Sequence, residues 1–132
     1  MSDVARGFES LEVWQLARNL VNRIYVLSDT WPADERFGLT SQIRRAAISV
    51  MSNIAEGWGR HSEASLANFL DVSQGSLAEV HSLVYVARDR NLIDDNVFEE
   101  LSEDANRLGA KLYRFIGKLR PNVVREEEAP YA

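Results

Sequence analysis

The sequence predicts an all-α fold, an up-down antiparallel four-helix bundle. Three observations predict it. Apolar residues recur at three- and four-residue steps through four separate segments. The three prolines, at 32, 121 and 130, all fall outside those segments, which leaves each free to be helical. No segment alternates apolar and polar residues between hairpin turns, so strands are not expected.

The first helix is expected from Ser10 to Thr30. Ser10 is the expected N-cap and Glu12 lies in the first turn. Trp14, Ala17, Val21, Ile24 and Leu27 share a face, and Pro32 stops the helix. The second helix starts between Asp34 and Leu39 and ends near Gly57 or Gly59, read as a helix stop. Leu39, Ile43, Ala46, Val50 and Ile54 form one apolar stripe. Ile48, Met51, Ala55 and Trp58 form a second, about 100° further round. Two stripes imply packing on two sides, against the helix's own bundle and against another subunit.

The third helix begins at Ser62, an N-cap followed by Glu63, and runs through Leu66, Phe69, Leu70, Leu77, Val80, Val84 and Ala87 to about Arg90. Gly75 falls in its middle, where glycine costs about 1 kcal/mol relative to alanine. Such a residue suggests close approach of another backbone. In the fourth helix Asp94 is the cap, and Ile93 and Phe98 occupy the positions of a hydrophobic staple. Leu101, Ala105, Leu108, Leu112, Phe115, Ile116 and Leu119 then make an unbroken stripe. Acidic residues fill its first half and basic residues its second, which complements the helix dipole. Pro121 ends it. The resulting organisation is an N-terminal arm (1–9), a bundle (10–120) and a disordered acidic tail (121–132) carrying Glu126-Glu127-Glu128.

Composition narrows the function classes. The 132 residues fit one domain with a substantial core. With no cysteine there is no disulfide, thiolate metal site or cysteine nucleophile, and a reducing cytoplasm is the expected compartment. No apolar run approaches the roughly 20 residues of a membrane span, and Met1 to Gly7 has no apolar core of a secretion signal. A net charge of −5 argues against a generally basic nucleic-acid binder. His61 is read as a cap neighbour and His81 as a helix-surface residue; neither belongs to a metal-ligand pattern. Gly57-Trp58-Gly59 lacks the context of a phosphate loop. No catalytic residue, cofactor, metal or small-molecule substrate is expected, and the chain is read as non-enzymatic.

Two residue sets remain as candidate sites. The first is the polar side of the second helix: Gln42, Arg45, Ser49, Asn53, Glu56 and Arg60. It reads either as a binding strip, with an Arg45–Glu56 network, or as a satisfied polar seam between subunits. The second is a ridge on the fourth helix, Arg107, Lys111, Arg114 and Lys118, within about 60° on one flank of the apolar stripe. It reads either as a phosphate-contact surface or as a solvated face that completes the dipole pattern.

The stretches FESLEVWQLA (8–17), ERFGLTSQIRRAA (35–47), SNIAEG (52–57), Phe69–Leu70 and GSLAE (75–79) resemble the bacterial four-helix-bundle proteins encoded within intervening sequences of 23S ribosomal RNA genes. The resemblance implies a homopentamer, with the bundle assembling as a ring. It also implies distant similarity to the accessory variability protein of diversity-generating retroelements, which has a similar barrel. The family's motif residues fall here on Gln42, Arg44, Arg45, Ser52, Asn53, Glu56 and Gly57, with no agreed catalytic role. Where the family often has Pro this chain has Met51, and where it often has Ala-Arg this chain has Ser73-Gln74. The expected partners are other copies of the chain and RNA or a ribonucleoprotein, so the function expected is that of an RNA-associated scaffold; the alternative is a protein-protein adaptor without nucleic-acid contact.

Overall fold

The apolar faces of four helices meet in one core. The computed structural model describes residues 7–120. The helices are α1 (Glu12–Ser28), α2 (Leu39–Trp58), α3 (Glu63–Asp89) and α4 (Asp95–Leu119), with single 3-10 turns at Phe8–Ser10 and Ala33–Glu35. Each helix packs on the next and α4 returns to α1; α2 and α3 form the closest pair, α1 and α4 the loosest. The cross-helix contacts are antiparallel. On α2 and α3, Gln42 meets Glu79 and Ser49 meets Ser76. On α1 and α4, Glu12 meets Lys111 and Arg23 meets Glu100. On α3 and α4, Asp71 meets Arg120 and Tyr85 meets Phe98.

The helix ends follow local hydrogen bonding, and two of them differ from the sequence reading. Ser10 does not cap α1. Its hydroxyl donates to the Gly7 carbonyl at 3.0 Å and closes the preceding 3-10 turn, which leaves Leu11 as an N-cap without a side-chain acceptor. The Phe8 ring packs 4.9 Å from Trp14 and ties that turn to the helix. At the other end α1 stops at Ser28 rather than Thr30. At α2 the cap is Gly38, and the Glu35 carboxylate accepts the Leu39 N–H at 3.4 Å. Ser62 and Asp94 cap as expected, accepting from the N–H groups of Ser65 at 3.1 Å and Val97 at 2.8 Å. Asn91, at φ 61°, closes α3. Its N–H donates to the Arg88 carbonyl and that of Leu92 to the Ala87 carbonyl, the paired bonds of a Schellman stop. The expected stop at Pro121 and the tail lie outside the described residues.

The first stripe of α2 is wholly buried. The second divides. Met51 packs against the core of its own chain, whereas Ile48 (38% exposed) and Trp58 (36%) stay at the surface. Lying between α1 and α3, α2 needs two apolar flanks for its own bundle, so the second stripe does not by itself require another subunit. Gly75 also departs from expectation: nothing lies within 4 Å of where its Cβ would sit. The close approach is at Gly57. This residue does not stop α2 but lies buried in its last turn, and Gly59 is the C-cap. A Cβ on Gly57 would fall 2.7 Å from Cβ of Phe69 and 3.1 Å from Cδ1 of Leu66.

The two glycines therefore predict opposite effects of one substitution. Gly75→Ala should stabilise by roughly 0.5–1 kcal/mol, since only helix propensity changes. Gly57→Ala should destabilise by about 1–3 kcal/mol, because overpacking outweighs propensity. Thermal unfolding checks both, with Tm shifts of about 3 °C per kcal/mol and of opposite sign. A fall for Gly75→Ala would place another copy's atoms against Gly75.

Candidate functional site

The polar side of α2 is engaged mainly within the chain. The Gln42 amide donates to Glu79 Oε2 of α3 at 3.4 Å. The hydroxyls of Ser49 and Ser76 share a hydrogen bond of 2.7 Å. The Asn53 amide donates to the Ser49 carbonyl at 2.8 Å and to its hydroxyl at 3.0 Å. Glu56 lies 4.0 Å from Arg60, one turn on, and the Arg60 guanidinium stacks 4.7 Å from the centroid of Phe69. An Arg45–Glu56 network does not form, since the two residues are about 16 Å apart along the helix and Glu56 faces Arg60. Arg45 is exposed and has no hydrogen bond or ion pair among the described residues. Beside this seam runs an open groove of about 530 Å³, its lining including Phe37, Gln42, Arg45, Ser49, Ser76 and Glu79.

One member of the seam was not singled out by sequence reasoning. Ser73 is fully buried, and its hydroxyl donates to the Val50 carbonyl of α2 at 2.7 Å. A carbonyl has two lone pairs, so it can accept this bond beside its helical one. A serine at a core position of an apolar stripe was the available signal.

The adjacent arginines Arg44 and Arg45 point to different flanks, as a turn of about 100° per residue requires. Arg44 reaches α1. Its Nε donates to the Ser28 hydroxyl at 2.8 Å, and Nη2 donates to Asp29 at 3.0 Å and to the Tyr25 carbonyl at 3.5 Å. The guanidinium also lies 4.5 Å from the Tyr25 ring centroid. A cation at the C-terminal turn of a helix is favoured by its dipole.

The ridge on α4 divides as well. Lys111 Nζ lies 3.1 Å from Glu12 Oε1. Arg107, Arg114 and Lys118 are exposed and have no carboxylate partner among the described residues. Lys111, Arg114 and Lys118 share a groove of about 330 Å³ that Leu11, Glu12, Val13 and Phe115 also line, between the start of α1 and the last turns of α4. Arg107 lines a separate hollow with Arg23 and Asp104. Arg120, not among the expected site residues, ties α4 to Asp71 and Asn68 of α3. His61 is exposed beside the Ser62 cap. His81 is no open surface residue: it is half-buried, 5.7 Å from the Tyr85 ring, with Nε2 buried and unpartnered among the described residues. Among those residues no helix is long and apolar enough to cross a membrane.

The family model described as 23S rRNA-intervening sequence protein matches residues 9–114, which spans α1 to α3 and most of α4. The chain belongs to this family. A crystal structure of a protein of unknown function, from the S23 ribosomal protein family of Bacteroides thetaiotaomicron, superposes with a TM-score of 0.73. It is 21% identical, and the match covers 79% of this chain and 94% of that one. At this identity the likeness is one of fold. No curated protein matches the chain. In this family member the motif residues have separable tasks. Arg44 fastens α1 and Gly57 admits α3. Gln42 reaches Glu79 across the α2–α3 seam, and Asn53 holds Ser49 within α2. Arg45 is left open.

Adjacent substitutions test this division. Arg44→Ala should lower unfolding stability by about 1–3 kcal/mol, since it strips several charge-assisted bonds from the end of α1. Arg45→Ala should stay within about 0.5 kcal/mol. Urea denaturation of the two variants is the measurement, and equal losses would contradict the assignment.

Proposed function

We propose that this family member is a non-enzymatic, homo-oligomeric scaffold of the cytoplasm that contacts RNA or a ribonucleoprotein through the C-terminal half of α4. One observation carries the reading: Lys111, Arg114 and Lys118 stand over a single groove, and only Lys111 has a carboxylate beside it. Arg114 and Lys118, left without an acid, are free to exchange their counterions for phosphates, and the released counterions favour binding. The family name sets the chain among proteins of 23S rRNA intervening sequences. The net charge of −5 confines such contact to the cationic end, because the first half of α4 carries Asp94, Asp95, Glu99, Glu100, Glu103 and Asp104.

Self-association is supported by Ile48 and Trp58, which stay exposed on α2, and by the ring-forming resemblance. Repetition round a ring would multiply the cationic groove without changing any one contact. The alternative, a protein-protein adaptor without nucleic-acid contact, is favoured by the same exposed apolar residues and by the acidic net charge.

Filter binding of single-stranded RNA across a salt series tests the proposal. Two to three phosphate contacts predict a log–log slope of about −1.4 to −2 per groove, reduced by about 1.4 in an Arg114→Gln, Lys118→Gln double variant. Absent binding at low salt, or affinity that ignores salt, would refute phosphate contact. Light scattering on a sizing column should give a multiple of the 14.9 kDa chain mass, and Trp58→Asp should lower that multiple. A wild-type monomer would remove the scaffold reading.

A further inference from the structure

The α2–α3 groove differs from the cationic end of α4 in its chemistry. It brings an aromatic ring, an unpaired guanidinium and a carboxylate together over a polar floor. Phe37 is 90% exposed, the most exposed large apolar side chain among the described residues. Nothing in the fold needs a phenylalanine at that position of the loop. The Arg36 guanidinium lies 5.5 Å from its centroid, over one face. The other face is available for stacking. Arg45 has no partner among the described residues. Glu79 is exposed, and its only hydrogen bond among those residues is the 3.4 Å one from Gln42 to Oε2. The volume of about 530 Å³ falls within the roughly 300–1,000 Å³ of small-ligand sites.

We infer that this groove binds a guanine nucleotide, free or within single-stranded RNA, with the base stacked on Phe37, its Watson–Crick edge on Glu79 and its phosphate on Arg45. Each element follows from chemistry. An exposed ring is a stacking platform for any base, and stacking is worth a several-fold to hundredfold change in affinity per base. A carboxylate accepts only, so it selects an edge that donates. Guanine alone presents two adjacent donors, N1–H and N2–H, which a carboxylate can take in parallel. Adenine and cytosine set a donor beside an acceptor, and uracil flanks one donor with acceptors, so each would aim an acceptor at a carboxylate oxygen. A guanidinium takes a phosphate through paired donors. Gln42 orients the carboxylate from one side. Where the base belongs to RNA, this deepens the RNA reading above by giving it a base preference at a second site.

Isothermal titration of the full chain with GMP, AMP, CMP and UMP forms one arm of the test. The other is filter binding of a uridine-only oligonucleotide against one with guanosine at alternate positions. The expected result is a preference for guanine of about tenfold, the size of one good bidentate pair. Phe37→Ala should weaken guanine binding by about tenfold with Tm unchanged, because the ring is exposed. Glu79→Gln should erase the preference between bases. Arg45→Gln should weaken GMP while leaving guanosine unaffected. Preference in the nucleotide arm alone assigns a free nucleotide; preference in the RNA arm assigns a base of the strand. No guanine preference in either arm, or a preference that survives both Phe37→Ala and Glu79→Gln, overturns the inference. The two readings fail separately. Salt-dependent RNA binding without base preference sinks this site and leaves the cationic end of α4 standing, whereas GMP binding by a chain that ignores RNA does the reverse.

Discussion

The close approach of α2 to α3 is the constraint on which the rest of the molecule depends. Two helices come this near only where side chains between them are small. Here Ala46 lies buried beside Ser49 and Ser76, Gly57 leaves no room for a Cβ, and Ser73 of α3 donates to the Val50 carbonyl. A serine hydroxyl in a core would cost about 1–3 kcal/mol if unpaired. Reaching a backbone acceptor removes that cost only when the two helices are in register and close. The seam that follows, Gln42 to Glu79 and Ser49 to Ser76, lies along the same line. Tight packing, antiparallel register and the polar groove are thus consequences of one approach.

Much of this was legible because helical patterning is local. The four stripes, the Ser62 and Asp94 caps and the dipole-matched charges of α4 all follow from residues a turn apart, and the structure has them. The errors share a different origin. Ser10 was read as a cap because its type and position fit. Its hydroxyl instead serves Gly7, in a turn held by Phe8 on Trp14, and no local pattern weighs those rivals. Gly75 and Gly57 are alike as letters. Only the placement of Phe69 and Leu66 shows which one is crowded. Met51 belongs to a stripe that reads as facing outward, yet a helix packed on both α1 and α3 buries more than one stripe, and Met51 lies against the core of its own chain.

The candidate sites were legible as sets of residues, not as divisions of labour. A strip of six polar residues on one helix face says nothing about which are satisfied, since satisfaction depends on α3. The ridge on α4 divides for the same reason: α1 places Glu12 beside Lys111, and Arg107 falls in a hollow with Asp104. Phe37 carried no periodic signal at all, being a loop residue one position before Gly38. Its exposure became visible only when every other large apolar side chain had found more cover.

The pair Arg44-Arg45 shows how a short motif can hold two unrelated constraints. Residues one apart on a helix project about 100° apart, and here that turn sends Arg44 to α1 and Arg45 to the α2–α3 groove. Arg44 is drawn to α1 by the Ser28 hydroxyl, the Tyr25 carbonyl and Asp29, which take its Nε and Nη2 donors. Arg45, one position on, receives nothing from the fold. An unpaired guanidinium on the surface has water as its partner and loses little by waiting for an anion. The motif therefore couples an element that builds the bundle to one that the bundle merely presents. Replacing both arginines together would conflate a loss of fold with a loss of ligand, and only the single changes can tell the two apart.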